Sequence, residues 1–461
     1  MQEETINKYI IIVSIISSFA VAFTSNAVSV ALPVIAHDLN ISNIMQNWIV
    51  SIYLLIIAAA SVPFGKICVK YGLKLTYEIG LIVYMIGAIL SGMAPDISVL
   101  IISRIIQALG SAILFVNGMA LITAQLPENK RGQSIGFTVT GVYIGLALAP
   151  TISGILSQNV SWRSVFYVTI PLTLISLFLL MRIKKEWKME EEKPIDIRGS
   201  LLYVVGIILL MYGFTRINES VGIILFILGI LVLAEFIKYE LKIKNPIYEI
   251  RLFKNKIYTA SNIASLISYF ATFVVTYILN YHFQYIHGLD PQTSGIVLVV
   301  TPVIMAIIAP ISGRLSDKYP PQIITAIGMG LVTIALFILT FLDKTTPFAL
   351  VLLAMILQGV GFGFFSSPNS NIIMSSVDKD DVGTASASLS TVRTIGQSFS
   401  LGLLTVVFAF IMGNVPIIPS NYYLLIQSSQ MTMAIATFLC LIAVFLSLKG
   451  LNYHKEKKNI E

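Results

Sequence analysis

Two arginines, Arg104 and Arg393, lie two or three helical turns inside long apolar stretches of the sequence. An arginine at mid-membrane depth costs about 2.5–3.5 kcal/mol on insertion scales, so its side chain usually faces a water-filled cavity or a polar partner. The simpler alternative is that each guanidinium only ties helices together through carbonyl and amide groups. We favour the functional interpretation for both residues, as candidates for coupling or gating.

The other polar side chains in the apolar stretches are mostly neutral. Glu78 and Glu235 lie near the ends of their stretches, and the middle positions carry no carboxylate. A buried carboxylate is the simplest way to hold a proton or a cation inside a membrane. The pattern therefore favours amphipathic, neutral or anionic ligands over compact dications. The candidate ligand-contacting residues are Thr24, Asn26, Tyr53, Asn117, Tyr143, Tyr269, Asn280, Gln284, Asn369 and Gln397.

The composition identifies the solvent around these residues as lipid. Of the 461 residues, 56% are hydrophobic and 11% are charged, against about 25% charged residues in soluble domains. The apolar residues come in blocks of roughly 20, the length that crosses a ~30 Å hydrocarbon core as a helix. Blocks this long and continuous exclude a transmembrane barrel, whose strands alternate over about 10 residues. We predict an all-α integral membrane protein with fourteen transmembrane helices.

The positive charges predict the orientation. If the N-terminus lies inside, 25 of the 30 lysines and arginines fall in inner segments, three in outer segments and two within spans. Such a bias is typical of cytoplasmic loops, so we expect both termini in the cytoplasm and the protein in the cell membrane. The same distribution accounts for the net charge of +7 without nucleic-acid binding.

Charged linkers divide the fourteen spans into six, two and six. The predicted units are an N-terminal six-helix half (1–182), a linker with two extra helices (183–257), a C-terminal six-helix half (258–449) and a cytoplasmic tail (450–461). The segments GKICVKYGLK (65–74) and GRLSDKYPPQ (313–322) follow the second helix of each half and share Gly-x-(Ile/Leu)-x-x-Lys-Tyr. This repeat indicates duplicated halves, the plan of many secondary transporters with a site near the bilayer midplane.

The fifth predicted helix has a face of small residues and a proline. Gly141, Gly145 and Gly154 permit close helix packing, and Pro150 removes a hydrogen bond and bends the helix. Such a face could serve packing alone. In a protein whose halves move against each other it would also be a gating surface, and we favour that interpretation.

Seven motifs follow one another in order along the spans. They are NAVSVALP (26–33), QNWIVSIYLL (46–55), RIIQALGSA (104–112), GVYIGLALAPTISG (141–154), WRSVFYVTIP (162–171), NYHFQYIHGLDPQTSG (280–295) and VRTIGQSFSLG (392–402). With these motifs the chain resembles the fourteen-helix drug:proton antiporter branch of the major facilitator superfamily.

The resemblance implies the major facilitator fold and proton-coupled efflux of hydrophobic or amphipathic compounds by alternating access. It implies coupling through Arg104 with Gln107 beside it, and a cytoplasmic gate motif that includes Asp317. Two positions depart from the family pattern: Val69 replaces the aspartate of the first gate copy, and Thr24 replaces a first-helix aspartate. The expected partners are small amphipathic substrates, protons and the bilayer, for a monomer without cofactor or metal.

The second departure keeps an alternative open, namely transport of one specific metabolite with unusual or no proton coupling. Two other classes fit less well. A membrane enzyme would need a His/Asp/Glu cluster, whereas the four histidines, at 37, 282, 287 and 454, are scattered. A sensor would need a sizeable soluble output domain. Direct ATP hydrolysis, as the source of energy for transport, would need a Gly-rich phosphate loop with lysine, and we find none in the sequence.

Overall fold

The computed structural model describes residues 3–188, 195–316, 318–377 and 382–448. These residues form α-helices joined by short connections. The helices are α1 (Glu3–Asp38), α2 (Asn43–Tyr71), α3 (Leu73–Gly92), α4 (Ile97–Gln125), α5 (Glu128–Asn159), α6 (Ser164–Tyr167), α7 (Ile170–Met181), α8 (Ile197–Thr215), α9 (Ser220–Glu240), α10 (Lys256–Tyr281), α11 (Pro291–Leu298), α12 (Val300–Ser316), α13 (Pro321–Leu339), α14 (Phe348–Ser375), α15 (Val382–Ile411) and α16 (Tyr422–Leu448).

The prediction of fourteen spans is confirmed, because the described residues contain fourteen helical segments long and apolar enough to cross a membrane. Two of these segments are interrupted helices. The sixth span comprises α6 and α7, and the tenth comprises α11 and α12. Each break precedes a proline, Pro171 or Pro302, which lacks the N–H that would bond to the carbonyl four residues earlier. Those carbonyls belong to Tyr167 and Leu298, the last residues of α6 and α11.

The helices pair in the same pattern in two sets, α1–α7 and α10–α16. In the first set α1 packs on α5 and α7, α4 on α2 and α3, and α3 on α7. In the second set α10 packs on α15 and α16, α14 on α12 and α13, and α13 on α16. The sets meet where α5 packs on α11 and where α2 packs on α15. Equivalent helices thus make equivalent contacts, as two copies of one helical plan would.

The α8–α9 hairpin attaches to this body from one side. Helix α8 contacts α2 and α15, and Tyr203 donates a hydrogen bond to the Ala58 carbonyl (3.1 Å). The outer surface of α9 exposes Val221, Ile224 and Leu231, each by more than half of its area. In a membrane-spanning helix, such side chains lie against lipid.

Two ends of the bundle need names. We call the end where α1 begins and α16 ends the terminal face, and the opposite end the far face. The α1–α2, α5–α6 and α10–α11 connections lie at the far face, whereas the α2–α3 and α4–α5 connections lie at the terminal face.

Candidate functional site

Arg104 is fully buried in α4, in the interior of the first helix set. Its Nη1 donates to Gln107 Oε1 (2.6 Å), three residues along the same helix, and its Nε donates to the Ile49 carbonyl of α2 (3.2 Å). The guanidinium carbon lies 4.0 Å from the ring centroid of Tyr53 and 5.7 Å from that of Phe166. Aromatic faces and neutral acceptors therefore hold the charge.

Glycines set the spacing of the helices around this arginine. A Cβ atom on Gly87 would overlap the backbone of Gln107, and one on Gly110 would overlap the backbone of Tyr84. Helices α3 and α4 therefore approach to backbone contact at Gln107 and again about one turn further along α4, at Gly110. This contact fixes the position of Gln107, and with it Arg104, relative to α3.

The pair retains unused donors. Arg104 Nη2 and Gln107 Nε2 are buried without a hydrogen-bond partner, and Arg104 forms no ion pair with any carboxylate in the described part of the chain. A buried donor without a partner is costly, by about 1–3 kcal/mol. Two such donors side by side can bind an acceptor or an anion when the neighbouring helices separate.

Thr24 lies in a network of hydroxyl groups. Its Oγ1 hydrogen bonds to Tyr84 Oη, and that same hydroxyl bonds to Thr169 Oγ1 at 2.8 Å. These groups connect α1, α3 and the break before α7, and none of them is a carboxylate. A neutral link therefore occupies the position where the resemblance implies an acid.

Three side chains from α10 and from the π-helical segment that continues it (His282–Ile286) donate to backbone carbonyls of α1. Tyr277 Oη bonds to the Ser25 carbonyl (3.1 Å), Asn280 Nδ2 to the Ser29 carbonyl (2.8 Å) and Gln284 Nε2 to the Val30 carbonyl (2.9 Å). Asn280 and Gln284, predicted as ligand-contacting residues, thus lie in the seam between the two sets in this conformation.

The seam continues at the far face through polar and backbone contacts. Tyr281 Oη donates to Asn47 Oδ1 (2.7 Å), and Asn43 Nδ2 donates to the Gly413 carbonyl (3.1 Å). Gly154 packs against Pro291 and Gly295 packs against Pro150 across the seam, where a Cβ on either glycine would overlap the proline carbonyl. Pro150 thus contacts the second set through its backbone oxygen.

Near mid-depth, five side chains from both sets form what we call the central cluster: Tyr143, Tyr269, Phe362, Ser366 and Arg393. Tyr143 Oη and Ser366 Oγ are 3.1 Å apart, linking α5 to α14. The Arg393 guanidinium lies 5.4 Å from the Tyr269 ring centroid, and that ring meets Phe362 edge to face at 5.4 Å. Tyr143, Tyr269 and Arg393 are half-buried, so the cluster presents an accessible surface.

The remaining predicted residues lie within one set. Asn117 Nδ2 donates to Thr76 Oγ1 (2.9 Å) in the first set, and Asn369 Nδ2 donates to Ser265 Oγ (2.7 Å) in the second. Gly141 and Gly145 allow α5 to approach the α1 backbone at Ile15 and Phe19. Asn26 Nδ2 donates to the Leu146 carbonyl (3.4 Å), and Asp317 lies outside the described residues.

Sequence reasoning missed a contact made by the linker after α7. The Glu186 carboxylate accepts hydrogen bonds from the backbone N–H groups of Lys74 (2.8 Å) and Leu75 (3.1 Å), in the first turn of α3. Gly72 offers that helix no side-chain cap. Trp187 extends the contact by donating to Gln125 Oε1 (3.1 Å). Val69, which replaces the gate aspartate, lies in the last turn of α2 and not in a loop, because α2 continues to Tyr71. A carboxylate thus caps α3 directly after this turn, but it comes from a distant, highly charged segment.

Comparison with known families and proteins shows similarity to membrane transporters throughout. The model described as Major Facilitator Superfamily matches residues 14–401. The chain is 33% identical over 400 residues to riboflavin transporter RibZ of Clostridioides difficile (strain 630), covering 86% of each protein. It is 28% identical over 400 residues to multidrug resistance protein Stp of Mycobacterium tuberculosis (strain CDC 1551 / Oshkosh), covering 85% of this chain and 74% of that protein.

Solved structures show the same fold at low sequence identity. A bacterial homolog of the human lysosomal transporter Spinster superposes with a TM-score of 0.71 at 14% identity, covering 97% of both chains. A D-xylose-proton symporter superposes with a TM-score of 0.62 at 16% identity, covering 94% of this chain and 96% of that one.

Proposed function

The chain belongs to the Major Facilitator Superfamily, and we propose that this secondary transporter exports hydrophobic or amphipathic compounds in exchange for protons by alternating access. The halves 1–182 and 258–449 would move against each other, and the segment 183–257 would connect them. Arg104 with Gln107 would couple substrate and proton movement, and the Gly141–Gly154 face of α5 would slide during gating. The protein would act as a monomer.

The distribution of contacts between the two helix sets carries this proposal. Among the described residues, hydrogen bonds between the sets lie toward the far face, except the Tyr143–Ser366 bond near mid-depth. One state of an alternating-access transporter requires a seam that is closed at one face and open toward the other. Here the hydrogen-bonded part of the seam is at the far face, and the half toward the terminal face is held less strongly. Export would follow when the far-face contacts break and contacts at the terminal face form.

The excess of lysine and arginine on the terminal side supports cytoplasmic termini in the cell membrane. With that orientation, the central cluster would be reached from the cytoplasm in the conformation described. The aromatic rings of Tyr143, Tyr269 and Phe362 suit amphipathic ring compounds, and a multidrug resistance protein is among the relatives.

Reconstitution into liposomes with an imposed pH gradient and a panel of fluorescent dyes tests this function. We expect several structurally different dyes to move against their concentration gradient, with collapse of the movement when the pH gradient is dissipated. A transporter that moves no dye under either sign of the gradient would contradict the proposal.

A second candidate is transport of one specific metabolite with little or no proton coupling. The Thr24–Tyr84–Thr169 network favours it, because hydroxyl groups do not gain or lose a proton near neutral pH, whereas a buried aspartate could. The relative that transports riboflavin also favours it, and makes a planar, polar-substituted ring compound the first substrate to test. Competition experiments in liposomes separate the two candidates. In a transporter of one metabolite, that compound at low concentration would block transport of any labelled substrate. A multidrug exporter would instead be inhibited by many structurally different compounds.

A further inference from the structure

Arg393 lies inside a span, whereas the arginines that form ion pairs in the described part of the chain lie at span ends. At the span ends, Arg163 pairs with Asp38 (2.9 Å), Arg198 with Glu235 (3.8 Å) and Arg216 with Glu219 (3.6 Å). Arg393 makes neither an ion pair nor a hydrogen bond with any described residue, and its guanidinium meets only the Tyr269 ring at 5.4 Å.

The position of Arg393 makes this lack of a partner informative. It lies in the interior of α15, a largely buried span, yet its own side chain stays partly exposed. Gly396, three residues further on, packs on α10 at Leu266 and Tyr269. The neighbouring Ile395 packs toward α2 and α8, on another face of the helix. Arg393 therefore lies on the side of α15 that borders the central cluster.

None of the described side chains of the central cluster supplies a negative charge to Arg393. Tyr269 and Phe362 offer ring faces and edges, and Tyr143 and Ser366 offer hydroxyl groups. A guanidinium at membrane depth is stabilised by a water-filled cleft or by an anion. Its planar set of N–H donors fits a carboxylate or a similar planar anion with two parallel hydrogen bonds, and it can stack on aromatic faces at the same time.

We propose that Arg393 is the anchor for an anionic group on an aromatic substrate, whose ring lies against Tyr269 and Phe362. The substrate class is thus the planar aromatic anion. This inference rests on the proposed function, because it assigns the substrate of that transport site. It makes Arg393 a specificity-determining residue: loss of the guanidinium removes the preference for anions while the aromatic wall still accepts the ring.

Two xanthene dyes test the inference, because fluorescein carries negative charge and rhodamine 123 carries positive charge on the same ring system. Binding to the purified protein is measured by fluorescence anisotropy. We expect wild type to bind fluorescein more tightly than rhodamine 123. Arg393→Gln should weaken fluorescein binding at least about tenfold, the range for a lost charged hydrogen bond, and leave rhodamine 123 binding unchanged or tighter. Arg393→Lys keeps the charge without the planar donors, so its affinity for fluorescein should lie between those of wild type and Arg393→Gln.

Arg216→Gln is the matched control, since it removes the same charge at the exposed α8–α9 turn, far along the chain from the cluster. Fluorescein binding that is equal in wild type and Arg393→Gln, or absent from wild type, overturns the inference. Transport of the two dyes in liposomes tests the proposed function separately. Binding of fluorescein without any transport would contradict transport of this substrate class but would leave Arg393 as the anchor. Transport of both dyes at equal rates by wild type and by Arg393→Gln would contradict the anchor alone.

Discussion

The guanidinium carbon of Arg104 lies 4.0 Å from the ring centroid of Tyr53, and both side chains are fully buried. A desolvated cation over an aromatic face gains about 2 kcal/mol or more, comparable with the about 2.5–3.5 kcal/mol cost of placing an arginine at membrane depth. The ring and the Gln107 amide thus replace the carboxylate that a buried cation would otherwise need. In this arrangement Arg104 stays charged, and the donors Arg104 Nη2 and Gln107 Nε2 stay available for another acceptor.

Replacing Arg104 by alanine should leave membrane insertion intact and remove gradient-driven transport. The variant loses the charge and also leaves Gln107 Oε1 without its donor. Transport should fall by at least about tenfold, the effect of one lost charged hydrogen bond. Insertion is checked by yield and monodispersity in detergent, and transport by dye movement in liposomes.

Tyr53→Phe is the control for that experiment. It keeps the ring under Arg104 and removes only the hydroxyl bond to Ser111 (2.7 Å), so it should retain most of the activity. Tyr53→Leu removes the ring face and should approach the defect of Arg104→Ala. Wild-type transport by Arg104→Ala would remove this pair from the mechanism.

Gly295→Ala should loosen the far-face seam. The added methyl group would overlap the Pro150 carbonyl of α5, and overpacking of this kind costs about 1–3 kcal/mol. The ratio of far-face-open to far-face-closed molecules should therefore rise by about tenfold. A single cysteine placed at Gln292, in a background lacking the two buried native cysteines, reports the opening by its rate of labelling.

Gly330→Ala provides the comparison, because a Cβ on that helical glycine would meet no atom within 4 Å. Its labelling rate should match that of wild type. Equal rates in Gly295→Ala and Gly330→Ala would show that the close packing of Gly295 on Pro150 does not limit opening.

Tyr281→Phe should weaken the same closure by a different route. It removes the donor to Asn47 Oδ1 (2.7 Å) across the seam, a contribution of about 0.5–1.5 kcal/mol. We expect a several-fold increase in labelling of the Gln292 cysteine and a conformational equilibrium shifted toward the far-face-open state. Tyr423→Phe, at a position that is 60% exposed, should have no effect; an unchanged rate in both variants would contradict a closing role for Tyr281.

Glu186→Ala should lower the thermal stability of the protein in detergent. The carboxylate caps two N–H groups of α3, and loss of a helix N-cap costs about 0.5–2 kcal/mol. Glu186→Gln keeps an acceptor oxygen and should lose less. Glu219→Ala, which removes a half-exposed carboxylate at the α8–α9 turn, should melt like wild type. A melting temperature of Glu186→Ala equal to that of Glu219→Ala would mean that the cap adds nothing.

The sequence alone determined the membrane class, the fourteen spans and the presence of Arg104 and Arg393 at membrane depth. These properties follow from local composition and helical period, because each span must satisfy its own backbone hydrogen bonds in lipid and an arginine stands out against apolar neighbours. The contact between Arg104 and Gln107 could also be predicted from the sequence, because residues three apart in a helix share one face.

The tertiary structure decided which side chains meet across helices distant in the chain. Asn280 and Gln284 are equally compatible with a cavity or a seam until the α1 carbonyls are known to lie opposite them. The Glu186 cap and the packing of Gly295 on Pro150 likewise depend on segments more than 100 residues apart. Hydrophobic periodicity says which face of a helix is buried, but the partner of that face is set by packing of the whole bundle.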